Sequence, residues 1–195
     1  MKMSEGKDLC AFCRMPPPFS DEDHKKRVKK LTDNNHPYSF NFLAGEYEYG
    51  LRGLPQDHQK ANELWLKAGE LGCAGAYYNL GVAYDQGTGV GIDKKKAKHY
   101  YELATMGGDI MARHNLGMME GQAGNNERAL KHFILTARAG DKESLAAVKN
   151  GFKAGMVTKD EYASILRAHQ QRLDEIKSVE RDKAEASGLF NQFQE

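Results

Sequence analysis

The sequence predicts an all-α protein, a right-handed α/α solenoid of helix-turn-helix repeats closed by a C-terminal capping helix. Three observations carry that reading. Apolar and small residues recur at helical spacing, as at Ala76, Leu80, Ala83, Tyr84 and again at Ala97, Tyr100, Tyr101, Ala104, which places them on one face of an α-helix. Glycine-rich stretches, Gln86-Gly-Thr-Gly-Val-Gly91 and Gly107-Gly108, separate those faces where no helix continues. The whole stretch from Ala76 to Ala112 also has copies on either side of it. One helical hairpin cannot bury its own apolar faces, so it is read as the middle unit of a stack.

The register is strict. Ala61, Trp65 and Gly72 recur 36 residues on as Ala97, Tyr101 and Gly108, and Gly45, Asp57, Lys60 and Ala68 recur as Gly81, Asp93, Lys96 and Ala104. Ala76, Leu80 and Gly81 recur at the same offset as Ala112, Leu116 and Gly117. The next helix arrives early, with Ala129, Phe133 and Gly140 only 32 residues after Ala97, Tyr101 and Gly108. Four residues are missing from the inner loop around Gly121-Gln-Ala-Gly124, and loops tolerate such changes. The solenoid spans 37–179, with units at about 38–75, 76–111 and 112–143 and a degenerate cap over 144–179.

Each recurring residue has an expected task. Asp57, Asp93 and Asn125 precede the second helix of each unit as N-caps. Gly72, Gly108 and Gly140 follow it, where the chain turns through positive φ. Trp65, Tyr101 and Phe133 supply the large aromatic between units. Gly45, Gly81 and Gly117 fall inside the first helix, where glycine costs up to about 1 kcal/mol against alanine. Three such glycines point to a bulky neighbour packed close against each.

Outside the repeats, residues 1–19 are a flexible N-terminus with Cys10-Ala-Phe-Cys13-Arg14 and a proline run, Pro16 to Pro18. Two thiolates so spaced can bridge one metal ion, but structural zinc takes four ligands. Residues 20–36 form a charged helix, with acids Asp21 to Asp23 in the first turn and bases Lys25 to Lys30 after them. That order suits the helix dipole, so the basic run reads as a solvated face more than a nucleic-acid patch. Thr158-Lys-Asp-Glu161 is a capping box opening the cap helix. Its apolar series is Tyr162, Leu166, Leu173 and Ile176, with His169 in the gap. The series covers barely two heptads, too few for a coiled-coil seam. Residues 180–195 read as a flexible tail.

The central unit resembles the Sel-one-like repeat (SLR) family, relatives of the tetratricopeptide repeat. The matching residues are Ala76, Leu80-Gly81, Tyr84, Gly87-x-Gly89-Val90, Asp93, Lys96-Ala97, Tyr100-Tyr101, Ala104 and Gly108. The first unit is looser, with Phe40 for the opening alanine and Ala44-Gly45 for Leu-Gly; the third lacks Gly-x-Gly-Val. The resemblance implies scaffold or adaptor work, with a partner protein or peptide docked on the concave face. On helix geometry Tyr78, Asn79, His114 and Asn115 are the expected partner-binding residues, Asn79 and Asn115 lying 36 apart. Cys10 and Cys13 resemble the last ligand pair of a RING-type zinc finger. That implies a metal site completed from upstream and, as the alternative function, the substrate-binding part of a RING-type E3 ubiquitin ligase. An orphan pair without metal, or another metal or redox role, stays open.

Composition narrows the classes. With 28 basic and 27 acidic residues the net charge is +1, so no overall field draws the chain to nucleic acid or an anionic membrane. No apolar run approaches the roughly 20 residues that span a bilayer, and Met1 to Glu5 lacks a signal-peptide core. Cytoplasm or nucleus is therefore expected, and oligomeric state is not legible. The seven histidines, at 24, 36, 58, 99, 114, 132 and 169, form no ligand pair. Ser4-Glu-Gly-Lys7 matches the Ser-x-x-Lys string of penicillin-recognising enzymes but has no downstream partner motif. The Gly87–Gly91 loop follows no strand, which argues against phosphate binding. No enzyme activity and no cofactor are expected, apart from zinc if further ligands lie upstream.

Overall fold

A computed structural model describes residues 21–186. All regular structure among these residues is α-helical, in the order α1 (Asp21–Asp33), α2 (Pro37–Tyr49), α3 (His58–Glu70), α4 (Ala74–Gln86), α5 (Lys94–Met106), α6 (Ile110–Gln122), α7 (Asn126–Arg138), α8 (Lys142–Lys153) and α9 (Lys159–Ala186). The connection inside each pair, first helix to second, takes seven residues between α4 and α5 but three between α6 and α7. The four-residue difference is the one the register predicts. The chain divides into two compact units, at residues 116 and 117 within α6.

In the first unit α1 packs on α2, α2 on α3, α3 on α4 and α4 on α5. Its core holds Phe40, Ala44, Ala61, Trp65, Ala68, Cys73, Ala76 and Leu80. The alanines of the repeat, Ala61, Ala76 and Ala97, have no exposed surface, which is what lets neighbouring helices approach closely. Gly72 and Gly108 turn the chain at φ +97° and +89°, as expected of residues just past a helix end. Asp57 and Asp93 cap their helices: Asp57 Oδ1 accepts from Lys60 N at 2.9 Å, and Asp93 Oδ1 from Lys95 N and Lys96 N, both at 3.0 Å.

The second unit contains the end of α6 and α7 to α9, with α7, α8 and α9 in mutual contact. Ala129, Phe133, Ala137, Val148, Val157 and Ile165 form its core. Two expectations need correcting here. Asn125 makes no capping bond to α7; its Nδ2 donates to Glu120 Oε2 at 2.8 Å instead. With a connection of only three residues, the buried Glu120 carboxylate is within reach and wins the amide. The apolar series of α9 is also shifted: Ile165 is fully buried, while Leu166 and Ile176 are 40% and 38% exposed. The buried line is Ile165 and His169, flanked by Tyr162. His169 Nδ1 is 2.7 Å from the Ala137 carbonyl of α7, a buried polar link. The capping box forms: Glu161 Oε2 accepts from Thr158 N at 3.0 Å, and Glu161 N donates to Thr158 Oγ1 at 3.3 Å. α9 continues to Ala186, seven residues into the stretch 180–195 expected as tail.

Candidate functional site

The first helices of a repeat lie side by side once their second helices are packed behind them. In the first unit this brings α2 and α4 to opposite sides of a groove of about 500 Å³. α2 contributes Asn41, Phe42, Gly45 and Tyr49; α4 contributes Asn79, Val82 and Gln86; Trp65 of α3 also lines it. A polar bridge crosses between the helices, Asn79 Nδ2 donating to Asn41 Oδ1 at 3.3 Å. Around it large apolar side chains face solvent: Phe42 is 52% exposed, Tyr49 71% and Leu51 49%. An isolated exposed apolar residue means little, but three on one groove alongside amide groups form a surface suited to another chain.

The ionisable side chains of the lining are Glu46, Glu48 and Tyr49, with no lysine, arginine or histidine among the lining residues. Glu46 is buried and held from behind by His24 of α1, at 2.6 Å, and by Arg52, at 2.9 Å. A carboxylate so far from water requires such partners. The ring of His24 also packs on Phe42, centroids 5.4 Å apart, so α1 braces one lip of the groove. Glu48 Oε2 faces His58 Nδ1 at 2.9 Å.

The four residues expected to bind a partner have separate surroundings. Asn79 lines the groove. Tyr78 is half-buried against Tyr101, ring centroids 6.1 Å apart, and burial, with Asp109 nearby, raises its hydroxyl pKa. His114 is buried. Asn115 bonds the hydroxyl of Tyr101, a buried group whose pKa is pushed up to about 12, mainly by burial. Nothing in the repeat pattern singles out Phe42, Tyr49 and Leu51. Their one trace along the chain is the loose match of the first unit to the other two. Cys10 and Cys13 lie outside the described residues, and among the described residues no cluster of three or more metal-ligating side chains occurs. Cys73, the buried free cysteine at a repeat position, has its thiol pKa raised by burial.

Three consecutive segments, 41–73, 74–109 and 110–141, match the family model of the Sel1 repeat. The chain belongs to the Sel1 repeat family. Sel1 repeat proteins are generally protein-interaction scaffolds. Among solved structures, the chain is similar to a Sel1 repeat protein of Oxalobacter formigenes, with TM-score 0.62 and 24% identity over 82% of this chain and 64% of that one. It is also similar to a protective antigen of uropathogenic Escherichia coli with the same repeat fold, with TM-score 0.69 and 21% identity over 81% of this chain and 35% of that one. At these identities the likeness is one of fold.

Curated relatives that share sequence with it include two of different origin. An ERAD-associated E3 ubiquitin-protein ligase component of Arabidopsis thaliana, HRD3B, is 37% identical over 76 residues, covering 37% of this chain and 11% of that protein. An uncharacterized protein of Neisseria meningitidis serogroup B is 27% identical over 134 residues, 69% of this chain and 28% of that protein. The chain thus spans less than a third of either relative. No helix among its described residues is long and apolar enough to cross a membrane.

Proposed function

We propose that this Sel1 repeat protein is a non-enzymatic adaptor that docks a partner protein or peptide on the face of its first helices, along the α2/α4 groove. The observation that carries the reading is the exposure of Phe42, Tyr49 and Leu51 around the Asn41–Asn79 bridge. Apolar anchors give affinity when desolvated, and side-chain amides orient a partner backbone that passes over them. Of the expected contacts, Asn79 takes the central position. Tyr78 and Asn115 pack at Tyr101 instead, and His114 is buried. The test compares partner capture by the wild-type chain and by Phe42→Glu and Asn79→Lys variants with unchanged melting temperatures. Loss of the same bound protein from both variants supports docking here; undiminished capture by both removes the site.

A second reading is favoured by the 76 residues similar to HRD3B. In it the chain works within a ubiquitin-ligase assembly as the substrate-binding part, and Cys10 and Cys13 complete a zinc site with ligands from outside this segment. One zinc per chain, lost on Cys10→Ser, together with ubiquitin transfer to a captured partner, supports it. A zinc-free protein that supports no transfer eliminates it. Cytoplasm or nucleus remains the proposed location, checked by imaging the tagged chain.

A further inference from the structure

The three repeats treat one position differently. A side chain at Gly81 would meet the Tyr101 ring at 2.4 Å, and one at Gly117 would meet the Phe133 ring at 2.8 Å. Each first-helix glycine of these two repeats is thus covered by the aromatic of its own second helix. By register the first repeat should place Trp65 over Gly45. It does not: nothing lies within 4 Å of the position a Gly45 side chain would take. Trp65 sits in the core with Phe40, which stands where the later repeats have Ala76 and Ala112. The uncovered glycine opens into the α2/α4 groove, which Trp65 also lines. The Trp65 side chain is only 7% exposed, yet its Nε1 has no hydrogen-bond partner among the described residues. Buried indole donors are ordinarily paired.

We propose that the space over Gly45 is a side-chain pocket that takes one aromatic or large aliphatic residue of an extended partner segment with lysine or arginine beside it. The inference rests on the docking reading above and adds what is recognised. The size and chemistry of the guest come from the chain itself, because the equivalent space in the next two repeats holds a tyrosine and a phenylalanine ring. The basic neighbour follows from the lining, which supplies the Glu46 and Glu48 carboxylates and no lysine or arginine. Glu46 is already held by His24 and Arg52. Glu48, paired only with a half-exposed histidine, is the carboxylate that faces the guest.

The test pans random phage-displayed peptides against the full chain. Selected peptides are then titrated by fluorescence of Trp65, the single tryptophan of the sequence. Selected sequences should share one aromatic or large aliphatic residue next to lysine or arginine. Gly45→Leu, which fills the pocket, should weaken them about tenfold or more, as loss of an anchor does. Glu48→Gln should lessen the preference for the basic neighbour while leaving the apolar one. A melting temperature at or above the wild-type value shows that Gly45→Leu is folded, and Gly45→Ala, a smaller intrusion, should give an intermediate loss. Peptides that bind and are abolished by Phe42→Glu, yet are indifferent to both Gly45 variants, would overturn the pocket and leave the docking reading standing. Selected peptides without an apolar consensus overturn it equally. If no peptide binds at all, both readings fall.

Discussion

Gly45, Gly81 and Gly117 hold one repeat position in three surroundings, so the same substitution should have opposite signs. Gly81→Ala and Gly117→Ala push a methyl group into Tyr101 and Phe133, and overpacking of this kind costs about 1–3 kcal/mol. Gly45→Ala meets nothing, and the gain in helix propensity should stabilise by up to about 1 kcal/mol. Urea denaturation midpoints decide both. Tyr101 makes a second test. Its phenol stays protonated to about pH 12 in the folded chain, against an ordinary value of 10.0. The folded state therefore binds the proton more tightly, and its stability is full below pH 10 and falls as pH rises toward about 12. The loss is on the order of 2 kcal/mol. Tyr101→Phe should flatten that alkaline decline in a stability-versus-pH series, although Tyr78 and Tyr100, also raised by burial, keep part of it.

Helix ends and helix faces show how far a motif reaches. Asp93 and Asn125 occupy equivalent positions, yet only Asp93 caps its helix. Asp93→Ala should cost about 0.5–2 kcal/mol through the lost cap. Asn125→Ala acts by another route: it leaves the buried Glu120 carboxylate short of a donor, so Glu120→Gln should offset it while leaving Asp93→Ala unchanged. Thermal melts of the single and double variants check the coupling. On α9 the contrast is between neighbours. Ile165→Ala opens a cavity in the second core and should cost about 2–5 kcal/mol. Leu166→Ala, on the 40% exposed side, should stay within about 0.5 kcal/mol. A large effect at Leu166 instead would mean that a further surface covers this face.

For the molecule as a whole, the repeats make a scaffold and the departures from the repeat make the site. The second repeat is nearest the family pattern and nearly all its distinctive residues are consumed by packing: Tyr77 and Tyr84 both stack on Tyr100, and Tyr101 covers Gly81. The first repeat departs at Phe40, Ala44 and Trp65 and carries the groove. Binding should accordingly respond to substitutions on α2, Phe42→Glu and Tyr49→Glu above all, and not to a still more exposed apolar residue elsewhere in the same unit, as in Met106→Glu. Titration of a selected peptide by Trp65 fluorescence measures each.

The residue pattern alone determined the all-α class, the 36-residue register, the position of the shortened connection and the glycine turns. These follow from periodicity and local backbone preference, which act over a few residues and leave their trace in every copy. Tertiary packing decided the rest. Whether an aromatic lies over its glycine depends on the neighbours it shares a core with, so Trp65, Tyr101 and Phe133 look equivalent along the chain and are not. The same holds for Asn125, diverted by a carboxylate brought near by a short connection, and for α9, where 3.6 residues per turn makes Ile165 and Leu166 equally plausible until α7 and α8 select one. Asn79 could be picked by helix geometry as a surface residue. That it faces Asn41 across an open groove, with an empty place over Gly45, required two helices from different repeats to be set side by side.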